Sequence, residues 1–273
     1  KKYMRDLADI TAEQAKSATE LELAARIQQG LLPAEAITGQ QVDVTGYMEP
    51  AIEVGGDFYD YYFLDEQHLA ITIADVSDKG VPSAIFMVVA KTILHNVLPL
   101  YYRDSLAEAL SAANEQLAEV NDEDLFVTVW AGVLDLVSGK LEYVSCGHSS
   151  PVFVHDGKIT TLAKSKNPAL GIMPGIEFRQ QSTMLPSDSL LFMYTDGVTE
   201  AMNEQNQMFT GERMEKVLEM AADDNAAEVI AKMKTAVKGF TGQAKQFDDI
   251  TMVALKYYQI DNGPKMSSVS TGD

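Results

Sequence analysis

The sequence predicts an α+β protein in which two antiparallel β-sheets pack face to face and helices cover their outer surfaces. Three observations lead to this fold class. Short runs with strand composition come mostly in pairs joined by turn residues, as in antiparallel hairpins. Longer segments with helical periodicity also come in pairs and separate the strand pairs along the chain. The 273 residues, of which 46% are hydrophobic, suffice for one sizeable domain and an additional segment.

The first element, residues 1–32, is predicted to be one long helix that stops at Pro33, because it holds no proline and no turn cluster. Its residues include a series in alternating steps of four and three, the spacing of a coiled-coil seam. The seam consists of Tyr3, Leu7, Ile10, Gln14, Ser17, Leu21, Ala24, Gln28 and Leu31. Because three of these positions are polar, we expect a weak parallel dimerisation helix that can change its packing. The alternative is an amphipathic helix packed on its own domain.

After Pro33 the pattern becomes mostly β, with two pairs of helices between the strands. Strands are predicted at residues 42–48, 57–64, 68–75, 125–137, 140–145, 152–155, 158–162, 189–194 and 250–257. Helices are predicted at residues 83–98, 105–120, 211–222 and 226–240.

Turn residues justify these bounds. Residues 65–67 join the first strand pair, and Ser138-Gly139 and Asp156-Gly157 join two later pairs. Pro82 stands where the first turn of a helix tolerates proline. The chain is therefore expected to divide into a signalling and dimerisation helix at 1–33, a globular domain at 34–258 and a disordered tail at 259–273.

Charge and cysteine content narrow the function class. Forty acidic and 21 basic residues give a net charge of −19, which argues against nucleic-acid binding and against docking on an anionic membrane. The single Cys146 excludes an intramolecular disulfide, and neither a signal peptide nor an apolar run of about 20 residues is present. We expect a cytoplasmic fragment of a larger, sensor-containing protein, because the chain lacks an initiator Met and starts within a predicted helix.

Four aspartates each stand at a turn beside an apolar run. Asp57 and Asp75 lie at opposite ends of one predicted hairpin, which returns both to the same sheet edge. Asp196 follows one strand and Asp248 precedes another, so all four can meet at one end of a sandwich. Carboxylates without His or Cys are what Mg²⁺ and Mn²⁺ prefer, whereas Zn²⁺ usually recruits imidazole or thiolate. The pattern predicts a site for one or two divalent cations that activate water towards a phosphate.

A few further polar residues are weaker candidates. His148 is a candidate general acid, although a single loop histidine is more often structural. Lys79 and Arg26 are the basic residues nearest to these motifs, and a solvated surface position is the alternative for each. The acidic residues 122–124 are either a third, weaker metal site or a solvated loop.

The aspartate segments resemble the metal-dependent Ser/Thr protein phosphatases of the phosphatase 2C class (PPM), and within it the bacterial SpoIIE-type branch of sporulation and stress-response phosphatases. The matching motifs are EVGGDFYD at 53–60, ADVSDKGVPSA at 74–84, CGHSSP at 146–151, ALG at 169–171, YTDGVTEA at 194–201 and FDDIT at 247–251. Their order and spacing agree with the family over about residues 20–257. Asp78 departs from the pattern, because glycine is usual there.

The resemblance implies an α-β-β-α sandwich that binds two Mn²⁺ or Mg²⁺ ions, with a weaker third ion in some relatives. The implied ligands are Asp57, Asp75 as the bridging residue, the backbone carbonyl of Val76, Asp196 and Asp248, with Asp249 as the fallback for Asp248. A water activated by the two ions would attack phosphorus directly.

The resulting hypothesis is a phosphatase acting on phosphoserine or phosphothreonine of a regulatory protein, in this branch an anti-sigma-factor antagonist. The resemblance also implies a homodimer gated by an upstream sensor through helix 1–33. One alternative keeps the fold without catalysis, as a pseudophosphatase that sequesters a signalling partner, but the presence of all four carboxylates disfavours it. A nuclease is disfavoured by the charge of −19.

Overall fold

The structure is a computed structural model that describes residues 2–259, apart from the side chains of residue 2, residues 4–10 and residue 12. The side chains of Leu7 and Ile10 in the predicted seam lie outside the described residues. So does the predicted tail from residue 260 onward.

Helices and strands alternate along the described chain as the sequence pattern indicates. The helices are α1 (Lys2–Gln29), α2 (Val81–Tyr101), α3 (Leu106–Glu119), α4 (Asp196–Thr199), α5 (Gly211–Met220) and α6 (Ala226–Thr241). The strands are β1 (Ile37–Thr38), β2 (Val42–Glu49), β3 (Phe58–Phe63), β4 (His68–Val76), β5 (Val127–Asp135), β6 (Lys140–Cys146), β7 (Val152–His155), β8 (Lys158–Thr161), β9 (Gln181–Met184), β10 (Ser189–Tyr194) and β11 (Ile250–Tyr257).

The strands form two sheets, and all their pairings are antiparallel. Sheet A has the order β1-β2-β11-β10-β7-β8, and sheet B has the order β3-β4-β5-β6-β9. With helices α2 and α3 on one side and α5 and α6 on the other, the predicted α-β-β-α sandwich is confirmed.

Three apolar layers hold the sandwich together. The central layer joins both sheets and includes Ile71, Trp130 and Leu255. The second layer packs α2 and α3 on sheet B, and the third packs α5 and α6 on sheet A. Fully burying a large apolar side chain stabilises the fold by about 1.5–3 kcal/mol, so these layers fix how the strand ends meet.

Local sequence explains where the helices begin. The Ser105 hydroxyl accepts a hydrogen bond from the Glu108 amide at the start of α3. Asn225 and Glu228 form a capping box at the start of α6. Helix α2 begins after Gly80, with Pro82 in its first turn.

Contrary to the expectation that no apolar run of about 20 residues is present, helix α2 is long and apolar enough by composition to cross a bilayer. Most of its buried residues belong to the apolar layer on sheet B, as in a core helix. It packs on sheet B, and Lys91 within it forms a buried ion pair with Asp60 of β3 at 2.8 Å. This pair ties the helix to the strand that follows Asp57.

The sequence pattern misses three short elements: β1, β9 and α4. Strand β1 has two residues, and α4 is a single turn, both too short for a periodic pattern. Strand β9 is a largely polar edge strand with two exposed residues, so its sequence resembles a loop. Helix α1 also ends at Gln29 rather than at residue 32, with Gly30 in the turn that follows.

Candidate metal centre

The four aspartate segments come together at one end of the sandwich. Strand register pairs Phe58 with Ala74, which brings Asp57 and Asp75 side by side at the end of sheet B. Sheet A contributes the segment after β10, with Asp196, and the segment before β11, with Asp248. The Thr195 hydroxyl joins the two sheets here by donating a 2.7 Å hydrogen bond to the Asp57 carboxylate.

The carboxylates repel one another strongly because they are close and partly dehydrated. Burial, and next the charges of Asp75 and Asp249, raise the pKa of Asp57 well above its ordinary value. Burial, followed by the charges of Asp196 and Asp248, raises the pKa of Asp75 to about 7. Burial and the Asp248 charge also raise the pKa of Asp196. The five aspartates therefore form one electrostatic unit.

Asp249 has a different task from its neighbour Asp248. Its carboxylate accepts hydrogen bonds from the amides of Ala51 and Gly56, each at 2.7 Å, and a longer one from the Asp57 amide. Both oxygens therefore hold the 51–57 turn in place. These contacts give Asp249 a positioning role and favour Asp248 over Asp249 as the metal ligand, and both assignments stay predictions.

The glycines at this centre are required by close approach of other atoms. A Cβ at Gly56 would lie 2.3 Å from Ser83 Oγ and 3.0 Å from the Val76 carbonyl oxygen. At Gly197 it would lie 1.9 Å from the Asp249 carbonyl oxygen. Neither glycine has a positive φ, so the reason for glycine at both positions is space and not backbone freedom.

Asp248 contacts a cation supplied by the chain itself. The Lys79 ammonium lies 2.9 Å from the Asp248 carboxylate and 4.3 Å from the centre of the Phe247 ring, and it also bonds to the Phe247 carbonyl oxygen. Of the two basic candidates in the sequence, Lys79 belongs to the centre. Arg26 is an exposed residue of α1.

The loop after β4 carries two further predicted features. The Val76 carbonyl faces Gly56 and Ser83, whose hydroxyl approaches it to 3.5 Å. Asp78 has φ 65°, in the left-handed region that glycine adopts most easily, so the glycine that the family resemblance implies here would fit this backbone conformation.

His148 is buried, with 3% exposure, which disfavours it as a general acid. Its Nδ1 atom lies 2.9 Å from the Thr128 hydroxyl, which in turn donates a 3.4 Å hydrogen bond to the Asp75 carbonyl oxygen. Burial lowers the pKa of His148 to about 4, so the ring is neutral near pH 7. His148 therefore supports the backbone behind Asp75.

Gln28 is a contact residue that the sequence analysis assigns to a different surface. Its side chain is buried with 6% exposure and holds Gly55 from both sides. The Gln28 amide donates to the Gly55 carbonyl at 2.7 Å, and the Gly55 amide donates to Gln28 Oε1 at 3.0 Å. The sequence pattern predicts Gln28 in a dimer seam, but its side chain instead faces its own domain. Its partner Gly55 lies two residues before Asp57. The sequence signal for this contact is that Gln28 is a polar residue at an apolar position of the repeat.

The remaining acidic candidates, residues 122–124, form an exposed loop. Their role as a third metal site stays a prediction.

The donor set fits a hard divalent cation. Among residues 2–259 no three His, Cys, Asp or Glu side chains already stand in a metal-holding arrangement. The donors at the sandwich end are nevertheless all oxygens, and their mutual repulsion is what a bound cation relieves. The individual ligand assignments stay predictions.

Comparison with known proteins identifies the family. The family model described as stage II sporulation protein E (SpoIIE) matches residues 65–258. The chain belongs to this family. The resemblance to the SpoIIE-type branch of the phosphatase 2C class is thereby confirmed.

Two named relatives match most of the chain. Protein IcfG of Synechocystis sp. is 32% identical over 93% of the chain, which spans 44% of IcfG. Phosphoserine phosphatase RsbU of Bacillus subtilis is 26% identical over 87% of the chain, which spans 70% of RsbU.

Solved structures agree with the fold. The SiaA-PP2C domain of Pseudomonas aeruginosa superposes with a TM-score of 0.79 at 21% identity, covering 90% of this chain and 99% of that domain. A more distant neighbour, the catalytic domain of the serine threonine protein phosphatase PstP, is in complex with 2 manganese ions. It has a TM-score of 0.56 and 16% identity, and the match covers 80% of this chain and 99% of that domain.

Proposed function

We propose that this chain contains a Mn²⁺- or Mg²⁺-dependent phosphatase module that hydrolyses phosphoserine or phosphothreonine of a regulatory protein. One observation carries the proposal: Asp57, Asp75, Asp196 and Asp248 form one electrostatic unit at the end of the sandwich. Membership in the SpoIIE family and similarity to a relative named a phosphoserine phosphatase support it.

The residues present suggest how the metal ions would be held. Asp57, Asp75 and the Val76 carbonyl would hold them from sheet B, and Asp196 and Asp248 would hold them from sheet A, with Asp75 shared. Two bound ions would supply a water of lowered pKa and would neutralise charge on the phosphoryl oxygens.

The chain's own groups orient this chemistry. Asp249 and Gln28 hold the turn that carries Asp57, so that carboxylate enters the site preorganised. Lys79 is the cation within reach of the Asp248 position and would pair with a phosphoryl oxygen. The sole cysteine gives no alternative nucleophile, because Cys146 is buried and burial raises the pKa of its thiol.

We also propose that α1 transmits a signal from a sensor located before it. The described side chains of α1 from Tyr3 to Glu20 are exposed, and burial against the domain begins at Leu21. A long helix with so little contact to its own domain is suited to pairing with a second copy. Through Gln28, a shift of α1 would move Gly55 and then Asp57.

The decisive experiment measures Mn²⁺-dependent phosphate release from para-nitrophenyl phosphate and from a phosphoserine protein. Wild type is expected to need the metal, and Asp75→Asn is expected to lose activity. Asp104→Asn, the same change in an exposed turn, is the control and is expected to retain it. If calorimetry shows Mn²⁺ binding without turnover, the chain is catalytically silent or switched off. Absence of Mn²⁺ binding would overturn the metal centre and favour a pseudophosphatase.

The dimer proposal has its own test. Sedimentation velocity at micromolar concentration should show a dimer, and deletion of residues 1–20 should yield a monomer. A wild-type chain that is monomeric under these conditions would contradict the proposal.

A further inference from the structure

The loop after β4 places Lys79 beside Asp248. This loop leads from Asp75, near the end of β4, to the start of helix α2. The residues on both sides of Lys79 have left-handed backbone conformations, with φ 65° at Asp78 and φ 87° at Gly80. The loop therefore turns sharply at Lys79, and the ammonium group reaches the segment before β11, 168 residues further along the chain.

The Lys79 ammonium group makes three contacts with this segment. It lies 2.9 Å from Asp248 Oδ2, donates a hydrogen bond to the Phe247 carbonyl oxygen and lies 4.3 Å from the centre of the Phe247 ring. The other oxygen of the same carboxylate, Asp248 Oδ1, accepts a 2.9 Å hydrogen bond from the Asp249 amide. The Asp249 amide therefore orients the carboxylate without help from Lys79. A divalent cation at Oδ2 would compete with Lys79, because two positive charges on one oxygen repel each other.

Asp248 differs in this respect from the other three implied side-chain ligands. Within the described part of the chain, no Lys, Arg or His nitrogen lies within 4.0 Å of the carboxylates of Asp57, Asp75 or Asp196. Asp57 instead accepts its hydrogen bond from the neutral Thr195 hydroxyl. A basic side chain therefore engages the predicted metal centre at the Asp248 position.

The contact between Lys79 and Asp248 is weak enough to be displaced. The two side chains are 42% and 33% exposed, and water screens an ion pair of this kind. The Lys79 charge nevertheless acts on a neighbouring carboxylate. Burial and the Asp248 charge raise the pKa of Asp196, and the Lys79 charge opposes this rise. Lys79 thus offsets part of the repulsion that a divalent cation, with twice the charge, would offset more fully.

We infer that Lys79 is a built-in competitor of the divalent cation at Asp248 and lowers the metal affinity of the centre. The inference rests on the proposed function and adds a control of metal binding to it. Because Lys79 belongs to the loop that follows Asp75, its charge stays near the centre after the cation has taken its place. A chain without this charge should therefore bind the metal more tightly.

The test measures Mn²⁺ binding by titration calorimetry in wild type and in Lys79→Met, which has a side chain of similar length without the charge. Lys79→Met is expected to bind Mn²⁺ about tenfold more tightly, because the ion pair and the repulsion between Lys79 and the cation are both removed. Partial unfolding cannot produce a gain in affinity. Lys79→Arg keeps the charge and is expected to bind Mn²⁺ no more tightly than wild type.

Lys158→Met is the matched control, because it removes the same charge from an exposed position at the other end of sheet A. Lys158 of β8 pairs with His155 of β7. The neighbouring Val154 pairs with Leu190 at the start of β10, whereas Asp196 follows the end of β10. The six residues of β10 separate the two ends by about 20 Å, a distance over which salt screens the charge. Lys158→Met should therefore keep the wild-type Mn²⁺ affinity.

A second measurement, made in EDTA, shows whether Lys79 acts through Asp248. Urea unfolding compares the effect of Lys79→Met in the wild-type chain with its effect in the Asp248→Asn chain. The substitution is expected to lower the urea midpoint of the wild-type chain and to have a smaller effect in the Asp248→Asn chain. Equal shifts in the two chains would overturn the inference that Lys79 acts on Asp248.

The outcomes separate this inference from the proposed function. Mn²⁺ binding by Lys79→Met that is equal to or weaker than that of wild type would overturn the inference, and hydrolysis by wild type would then still support the phosphatase. Tighter binding by Lys79→Met without hydrolysis by either chain would remove the phosphatase proposal and leave the competition in place. If neither chain binds Mn²⁺, the metal centre is wrong and the inference is overturned with it.

Discussion

Replacing Gln28 with alanine is expected to weaken Mn²⁺ binding, although Gln28 is no candidate ligand. Its side chain donates to and accepts from the Gly55 backbone, at 2.7 and 3.0 Å, in a buried position. Gly55 belongs to the turn that presents Asp57. Removing the side chain leaves both backbone groups of Gly55 without this partner.

The magnitude follows from the two lost hydrogen bonds. A buried backbone group left unpaired costs about 1–3 kcal/mol, and water that enters the alanine-sized gap offsets part of that cost. We therefore expect about 1.5–3 kcal/mol against the turn conformation that holds Asp57 in place. Since about 1.4 kcal/mol corresponds to tenfold, Mn²⁺ affinity should fall by roughly 10- to 100-fold.

The measurement is calorimetric titration with Mn²⁺, together with the Mn²⁺ concentration that gives half-maximal hydrolysis of para-nitrophenyl phosphate. Gln29→Ala changes the neighbouring, exposed glutamine of α1 and provides the matched control. Circular dichroism would check that both variants remain folded. If Gln28→Ala and Gln29→Ala bind Mn²⁺ equally well, contact between α1 and the Asp57 turn does not control the metal centre.

Two further predictions concern the pKa of Asp75 and the space around Gly56. Because the pKa of Asp75 is raised to about 7 in the fold, the metal-free folded protein binds more protons than the unfolded chain between about pH 4 and 7. The contribution of Asp75 to folding stability is therefore present at low pH and is lost as pH rises through about 7. Through this site, the metal-free protein is expected to be more stable to thermal unfolding at pH 5 than at pH 8. Asp75→Asn should reduce that dependence without abolishing it, because burial also raises the pKa of Asp57 and of Asp196. A slope unchanged by the substitution would refute the assignment. Gly56→Ala should destabilise by about 1–3 kcal/mol in urea unfolding and impair Mn²⁺ binding, because its Cβ would meet Ser83 Oγ at 2.3 Å. Gly239→Ala, which meets no atom within 4 Å in α6, should be neutral or stabilising, and equal losses at both positions would contradict the steric explanation.

The sequence predicts most of the regular elements because their hydrophobic periodicity is local. Strands β7, β10 and β11 have the predicted bounds, since each is a short apolar run between turn residues. Local sequence patterns do not predict strand β9 and helix α4. Their formation depends on an edge already present in the sheet and on the end of β10, which no local pattern encodes.

The candidate site is likewise predictable from the sequence only in part. The types and order of Asp57, Asp75, Asp196 and Asp248 point to a divalent cation before any fold is known, because hard cations select oxygen donors. The metal preference of a ligand set depends on the chemical type of its side chains, and that type can be read directly from the sequence.

Only the tertiary structure assigns tasks among similar side chains. Asp248 and Asp249 are adjacent and chemically identical, yet one meets Lys79 and the other accepts hydrogen bonds from the turn before β3. His148 resembles an acid in sequence and is buried in the structure, and Gln28 leaves the predicted seam to hold Gly55. Each of these outcomes depends on which groups from distant segments come within about 3 Å, the range in which hydrogen bonds form. Residue types and local periodicity therefore determined the fold class and an all-oxygen donor set. Packing between distant segments decided that Asp249 orients the 51–57 turn, that His148 supports the backbone behind Asp75 and that Gln28 holds Gly55.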